Sequence, residues 1–196
     1  HDALPICVGV SGWRLARAVA KAGQLGVVSG VALDVLLARR LQRGDPDGHV
    51  RRAMAAFPVP AVVQRALDRY FVPGGLRPGQ SFRPNHRIGV RFSAAAEALA
   101  VLGNFVEVFL AKEGHDGVVG INLLEKMQVT TPTAAYGAVL AGVDYVLMGA
   151  GIPSEIPGML NLLAESKPAQ ISVTVEGALA GERHTVGIDP LALLDR

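Results

Sequence analysis

The sequence predicts an α/β protein built from parallel strands and the helices that connect them. Short apolar runs end in polar or glycine-rich elements, as in Val118 to Leu123 and Tyr145 to Met148. Helical stretches alternate with these runs. Half of the residues are apolar, and aromatic residues make up only 5% of the chain. Buried parallel strands that are wrapped by helices of small residues have this composition and rhythm.

Composition also excludes several classes of protein. A chain of 196 residues is expected to form one domain or part of a larger one. Its net charge of +2, from 19 basic and 17 acidic residues, predicts neither nucleic-acid nor membrane binding. The single cysteine, Cys7, excludes an internal disulfide framework, and no histidine has metal-ligand spacing. With no secretory signal pattern and no apolar run of roughly 18 residues, we expect a cytoplasmic protein without a metal site.

The first six residues, His1 to Ile6, have an unusual origin in our interpretation. They are what the end of a common sequencing-adaptor oligonucleotide encodes when it is read as CAC GAC GCT CTT CCG ATC. Our hypothesis is that residues 1–6 are not native and that the first strand is partly overwritten. The underlying nucleotide read tests it, because other codons would exclude an adaptor.

The first βα unit follows this segment. Cys7 to Val10 is predicted to be the remnant of a first strand. The next stretch, Ser11 to Gly23, predicts a helix with Ser11 as N-cap and Gly23 just past its end. Leu25 to Ser29 predicts the second strand.

Residues 31–116 interrupt the βα rhythm and are predicted to form a helical insertion between strands two and three. Turn signals at Asp45 to Gly48 and Pro58 to Pro60 divide it. Helices are predicted for Val35 to Arg43, Val50 to Phe57, Ala61 to Phe71 and, capped by Ser93, Ser93 to Lys112. We expect this insertion to cover one side of the core.

The βα rhythm then resumes. Further strands are predicted at Val118 to Leu123, Tyr145 to Met148 and Gln170 to Val175. Helices are predicted at Thr131 to Gly142, with Thr131 as cap, and at about Glu155 to Glu165, capped by Ser154. The stretch from Glu182 to Asp189 predicts an edge strand or a hairpin arm. This gives five parallel strands, whereas a TIM-type (β/α)8 barrel has eight strands in about 250 residues. Residues 1–196 are therefore expected to form an incomplete barrel.

Residues just past the carboxyl ends of parallel strands converge on one mouth, which makes them candidates for binding. Those at such positions are Gly30, Asn122, Gly149, Gly151 and Thr174. Asn122 offers a donor and an acceptor to the polar edge of a flat heterocycle, or it ties down a loop. The glycines allow a ligand to approach the backbone, or they only form a tight turn. Lys126 and Gln128 follow strand three and either reach over the mouth or face solvent.

Three motifs that resemble catalytic or nucleotide-binding elements are better explained by a structural role. His115 and Asp116 precede a strand, on the amino-terminal face where residues usually serve stability. Ser11 lies in a sequence that departs from the nucleophile elbow, because the second glycine falls one place early. The glycines near Gly23 do not follow the dinucleotide-binding order.

Four stretches together resemble the nitronate monooxygenase family, formerly called 2-nitropropane dioxygenases. They are Val8 to Ala20, Gly26 to Gly30, Gly120 to Gln128 and above all Ala141 to Pro153. The resemblance covers nearly everything after Ile6 and implies an FMN-binding (β/α)8 barrel. It implies that FMN contacts Asn122 and the glycine-rich turn of Gly149, Ala150 and Gly151.

The first-strand loop of the family ends in a position that matches Val8 to Val10, and the resemblance therefore implies that Gly9 and Val10 bind the cofactor. The other expected cofactor-binding residues are Gly30, Lys126, Gln128 and Thr174. The Gly-Gly-Met-Gly type sequence that normally precedes this loop is absent here. The phosphate-binding glycines and catalytic histidine of the family match nothing in the chain. We expect them beyond Arg196.

For an intact parent, the resemblance implies oxidation of alkyl nitronates by FMN and oxygen to a carbonyl product and nitrite. We expect weak or no FMN binding and no turnover from residues 1–196 alone. One alternative is a flavin-dependent enoyl-thioester reductase that uses NAD(P)H, and another is a non-catalytic ligand-binding barrel. The sequence leaves the oligomeric state open.

Overall fold

A computed structural model describes residues 9–86, 93–149, 154–175, 177, 179 and 182–194. The helices in this part of the chain are α1 (Trp13–Lys21), α2 (Leu33–Gln42), α3 (His49–Ala55), α4 (Pro60–Tyr70), α5 (Ala94–Lys112), α6 (Thr131–Leu140), α7 (Ile156–Ala164) and α8 (Pro190–Leu194), with a 3-10 helix over Glu125–Thr130. The strands are β1 (Gly26–Ser29), β2 (Val119–Leu124), β3 (Tyr145–Gly149), β4 (Ala169–Val173) and β5 (His184–Ile188).

The central sheet has three parallel strands in the order β1-β2-β3. Its register places Ser29 beside Asn122 and Asn122 beside Leu147. Helices connect the strands, as parallel pairing requires. The α/β class predicted from the sequence is therefore confirmed.

The two faces of this sheet differ in burial. Val28, Ile121 and Leu123 point to one face and are at most 3% exposed. Helices α1 and α5 contact the strands that carry them. The opposite face carries Asn122 and its neighbours across the sheet, and it is only partly covered. This one-sided burial leaves the second face of the sheet accessible.

Helix α5 is the core of the helical layer. Fourteen of its 19 residues are buried, and the Ser93 hydroxyl accepts a hydrogen bond from the amide of Ala96 at 3.2 Å, so the predicted cap is confirmed. Helix α6 packs closely against it. A Cβ atom at Gly137 would lie 2.2 Å from the carbonyl oxygen of Val101. Only glycine fits this helix contact.

Length and mean hydropathy would allow α5 to cross a membrane, contrary to the expectation that no segment is apolar enough. However, 78% of that apolar window is buried inside the fold. Its hydropathy is therefore accounted for by the core that it forms with α2, α3 and α6.

Helices α2, α3 and α4 lie between β1 and β2, where the sequence predicts helices. Their bounds differ from the predicted ones by at most two residues. Phe57, which follows α3, packs edge-on against Phe105 of α5 with ring centroids 5.1 Å apart. The layer is thus joined to α5 by apolar contact.

Three predicted helix caps are wrong. The Ser11 hydroxyl donates to the carbonyl oxygen of Val27 at 2.6 Å, so α1 begins only after Gly12, without a side-chain cap. Thr131 lies inside helical structure, because the 3-10 helix runs directly into α6. Ser154 precedes α7 by two residues, and Glu155 occupies its N-cap position. In each case a hydroxyl near a helix start is not in the capping position.

Strands β4 and β5 form a separate antiparallel pair, with Ala169 opposite Ile188 and Val173 opposite His184. The prediction of a hairpin arm between Glu182 and Asp189 is confirmed. The prediction that Gln170 to Val175 continues the parallel sheet is wrong for the described residues, in which β4 pairs with β5.

Side chains occupy the other edge of β4. The amide of Ser172 donates to Glu155 Oε2 at 2.9 Å, and its hydroxyl donates to Glu155 Oε1 at 3.0 Å. The amide of Thr174 donates to Gln128 Oε1 at 3.1 Å. These two backbone amides are therefore bonded to side chains and not to a neighbouring parallel strand.

Candidate functional site

The carboxyl edge of the central sheet brings together three of the predicted site residues. The amide of Gly30 donates to the carbonyl oxygen of Asn122 at 2.9 Å. A Cβ atom at Gly149 would lie 3.6 Å from Asn122 Oδ1. Asn122 lies inside β2, two residues before the last residue of that strand, and not just past its end as predicted; the ends of β1 and β3 lie close to it.

The carboxamide of Asn122 is half-buried and makes no hydrogen bond to any other residue in the described ranges. Two donors and one acceptor are left for another partner. Because Gly149 has no side chain, space is left beside this amide.

The surface beside Asn122 is largely apolar. Side chains on adjacent strands that are in register point to the same face, so Leu147 lies beside Asn122, and Leu124 and Tyr145 share their face. Tyr145 is 58% exposed and Leu147 is 36% exposed. An apolar face with one polar group at its edge suits a flat heterocycle.

Gln128 and Thr174 also come together. Gln128 lies in the 3-10 helix after β2, which is kinked at Met127. Its side chain accepts the hydrogen bond from the amide of Thr174, just past β4. This bond attaches the end of β4 beside the carboxyl edge of the central sheet. Lys126 is exposed.

Gly9 and Val10 lie in a turn next to β1. Gly9 has a φ of +76°, and Val10 is 71% exposed. Ser11 holds this turn, because its carbonyl oxygen accepts from the amide of Ser29 at 2.9 Å and its hydroxyl donates to Val27. The turn is therefore fixed beside the carboxyl end of β1. The two remaining predicted residues, Ala150 and Gly151, lie outside the described residues.

A buried ion pair supports this side of the edge, and sequence reasoning missed it. Glu107 of α5 is 1% exposed. Its Oε1 accepts from the amide of Trp13 at 2.7 Å, and its Oε2 accepts from Arg40 Nη1 at 2.5 Å. The carboxylate thus joins the start of α1 to α2. The signal in the sequence was a carboxylate in a largely apolar helix, which requires a partner when buried.

A second charged pair fixes the amino-terminal ends of the strands. Asp144 Oδ2 accepts from Lys112 Nζ at 2.6 Å and from the amide of Val119 at 2.8 Å. Burial raises the pKa of Asp144, but these hydrogen bonds and the lysine charge outweigh burial and bring the pKa below its ordinary value. The pair lies at the end of the sheet opposite to Asn122.

His115 is at the same end of the sheet. Its Nδ1 accepts from the amide of Gly117 at 3.0 Å, and its Nε2 lies 2.7 Å from the carbonyl oxygen of Ala111. Both ring nitrogens are therefore occupied by backbone. This agrees with the structural role that the sequence indicates for His115.

The arrangement offers an apolar surface with one polar group at its edge. The described residues contain no group of three or more histidine, cysteine, aspartate or glutamate side chains that would hold a metal ion. No protein-family model, curated protein or solved structure matches the chain.

Proposed function

We propose that the carboxyl edge around Asn122 binds the ring system of FMN, in a protein whose intact form oxidises alkyl nitronates. The observation that carries the proposal is the Asn122 carboxamide, which is half-buried, has no partner in the described ranges and lies beside the open strand end at Gly149. The family resemblance supplies the identity of the ligand and of the reaction.

The residues present fit one edge of a flavin ring. An isoalloxazine ring has an apolar face and a pyrimidine edge with both donors and acceptors. The exposed face that carries Leu147 and Tyr145 offers apolar contact, and Asn122 offers one acceptor and two donors. The absence of a side chain at Gly149 leaves room beside the amide.

When bound, FMN would supply the redox chemistry between the nitronate and oxygen. The part of the protein at this edge would bind the flavin ring and orient it. Asn122 would fix the polar edge of the ring, and the turn of Gly9 and Val10 would border the ring from the β1 side. The described residues at this edge supply no proton acceptor, so the proposal places the base elsewhere in the intact protein.

We further propose that β1, β2 and β3 are consecutive strands of a (β/α)8 barrel. Three parallel strands that are covered by helices on one face and open on the other support this. In a barrel the open face would point to the interior. The pairing of β4 with β5 does not support the barrel, and a longer chain would have to replace it with parallel pairing.

Titration with FMN tests the ligand. We expect weak, saturable quenching of flavin fluorescence by the wild-type chain, with Kd on the order of 100 μM or weaker. Because Asn122→Ala removes the ring-edge contact, it should weaken binding about fivefold to tenfold, the effect of one or two hydrogen bonds. The matched control is Asn161→Ala on the exposed surface of α7. Equal affinity of the Asn122 variant and the control would refute the proposed site.

A further inference from the structure

A cavity between α4 and α5 lies outside the proposed flavin edge. Its volume is about 180 Å³. Val62, Ala66, Ala98 and Leu99 form an apolar wall, and each is buried. Engineered apolar cavities of about 150 Å³ hold a benzene molecule, so this cavity has room for a ligand with a body of that size.

The polar groups that line the cavity are cationic or neutral. Arg65, Arg69 and His86 contribute to the lining together with Tyr70, and none of the described lining residues is a carboxylate. Arg65 and Arg69 are four residues apart on α4 and therefore lie on the same face of the helix. Burial and the charge of Arg69 lower the pKa of His86. The positive charge at this rim therefore belongs to the arginines.

Arg69 is positioned to bind an anion. Its Nε donates to the hydroxyl of Tyr70 at 3.1 Å, and its guanidinium group lies 5.4 Å from the centre of the Tyr70 ring. The two terminal nitrogens make no hydrogen bond to another residue in the described ranges. A guanidinium group that is held through Nε presents these two nitrogens as a fork, which matches a carboxylate.

We propose that this cavity binds a small organic carboxylate, with the apolar body between α4 and α5 and the carboxylate on Arg69. The size of the cavity limits the body to about one six-membered ring or a short aliphatic chain. Because the described part of the lining carries arginines and no acidic side chain, it favours an anion over a neutral or cationic ligand. The site is independent of the proposed flavin function.

Benzoate is the probe, with benzyl alcohol as the uncharged analogue of similar shape. Amide chemical shifts in ¹⁵N-labelled protein report both affinity and location. We expect benzoate to shift resonances around Ala66, Ala98 and Leu99 saturably, with Kd on the order of 1 mM or tighter. Benzyl alcohol should bind about tenfold more weakly, as expected from the loss of one charge-assisted contact.

Two variants separate charge from shape. Arg69→Gln should weaken benzoate binding about tenfold and leave benzyl alcohol unchanged. Ala98→Leu fills the cavity and should abolish binding of both ligands. Arg77→Gln, on an exposed loop, is the matched control and should bind like wild type. Equal binding of benzoate and benzyl alcohol, no effect of Arg69→Gln, or shifts centred on Asn122 would each overturn the proposal.

Discussion

The ion pair of Glu107 offers the sharpest test of how α1, α2 and α5 are held together. Glu107 is 1% exposed and accepts hydrogen bonds from the amide of Trp13 and from Arg40. Glu107→Gln keeps the shape and one acceptor but removes the charge. It also places an amide donor against a guanidinium donor. Breaking a buried pair by changing one partner costs about 3 to 5 kcal/mol, and we expect the lower end because one acceptor remains.

The free energy of unfolding is measured from urea transitions followed by circular dichroism. A loss of about 3 kcal/mol corresponds to a fall in Tm of about 6 to 12 °C for a chain of this size. The control is Glu113→Gln, which breaks the pair with Arg52 at 2.7 Å on the surface. Both partners of that pair are partly exposed, so the control should move the transition far less.

A double-mutant cycle distinguishes pairing from simple packing. Arg40→Met leaves Glu107 as an unpaired buried charge and should also be strongly destabilising. Combining it with Glu107→Leu removes both charges, and this double variant should be more stable than the sum of the single effects predicts, by at least about 1 kcal/mol. If Glu107→Gln unfolds within about 1 kcal/mol of wild type, the carboxylate does not hold these helices together and the reasoning fails.

Three further predictions concern stability. Gly137→Ala forces a Cβ atom against α5 and should lower the free energy of urea unfolding by about 3 kcal/mol. The control Gly158→Ala has open space around it and should be neutral or stabilising by up to about 1 kcal/mol. Equal effects of the two variants would contradict the close helix contact. Because the pKa of Asp144 is lowered in the folded state, its contribution is present above its ordinary pKa and is lost as pH falls through the folded value. Asp144→Asn should therefore flatten the dependence of unfolding free energy on acid pH, and an unchanged profile would exclude this role. Ser93→Ala should cost about 1 kcal/mol, measured by thermal unfolding, and no loss of Tm would show that the cap is dispensable.

The elements that the sequence predicts well are those with a local cause. Strands β2 and β3 were predicted within a residue at each end because an apolar run and a polar or glycine residue mark them directly. Asn122 lies inside β2 and not past its end, but it is near the carboxyl edge because it pairs with Ser29, the last residue of β1. Parallel strands that share a direction then bring Asn122 and Gly149 together without further information.

The elements that were mispredicted depend on distant residues. Ser11 has the residue type of an N-cap, but its hydroxyl bonds to Val27, 16 residues away. Glu107 and Arg40 are separated by 67 residues, and no local pattern pairs them. The partner of β4 was likewise unpredictable, because local periodicity identifies a strand and not its neighbour.

The two side chains on the outer edge of β4 have a consequence for self-association. An edge with unbonded amides is a template for strands of other molecules. Here Glu155 and Gln128 already accept the amide hydrogens of Ser172 and Thr174. These two side chains therefore oppose the growth of an intermolecular β-sheet from this edge of β4, and fibril formation from this strand would first require them to be displaced.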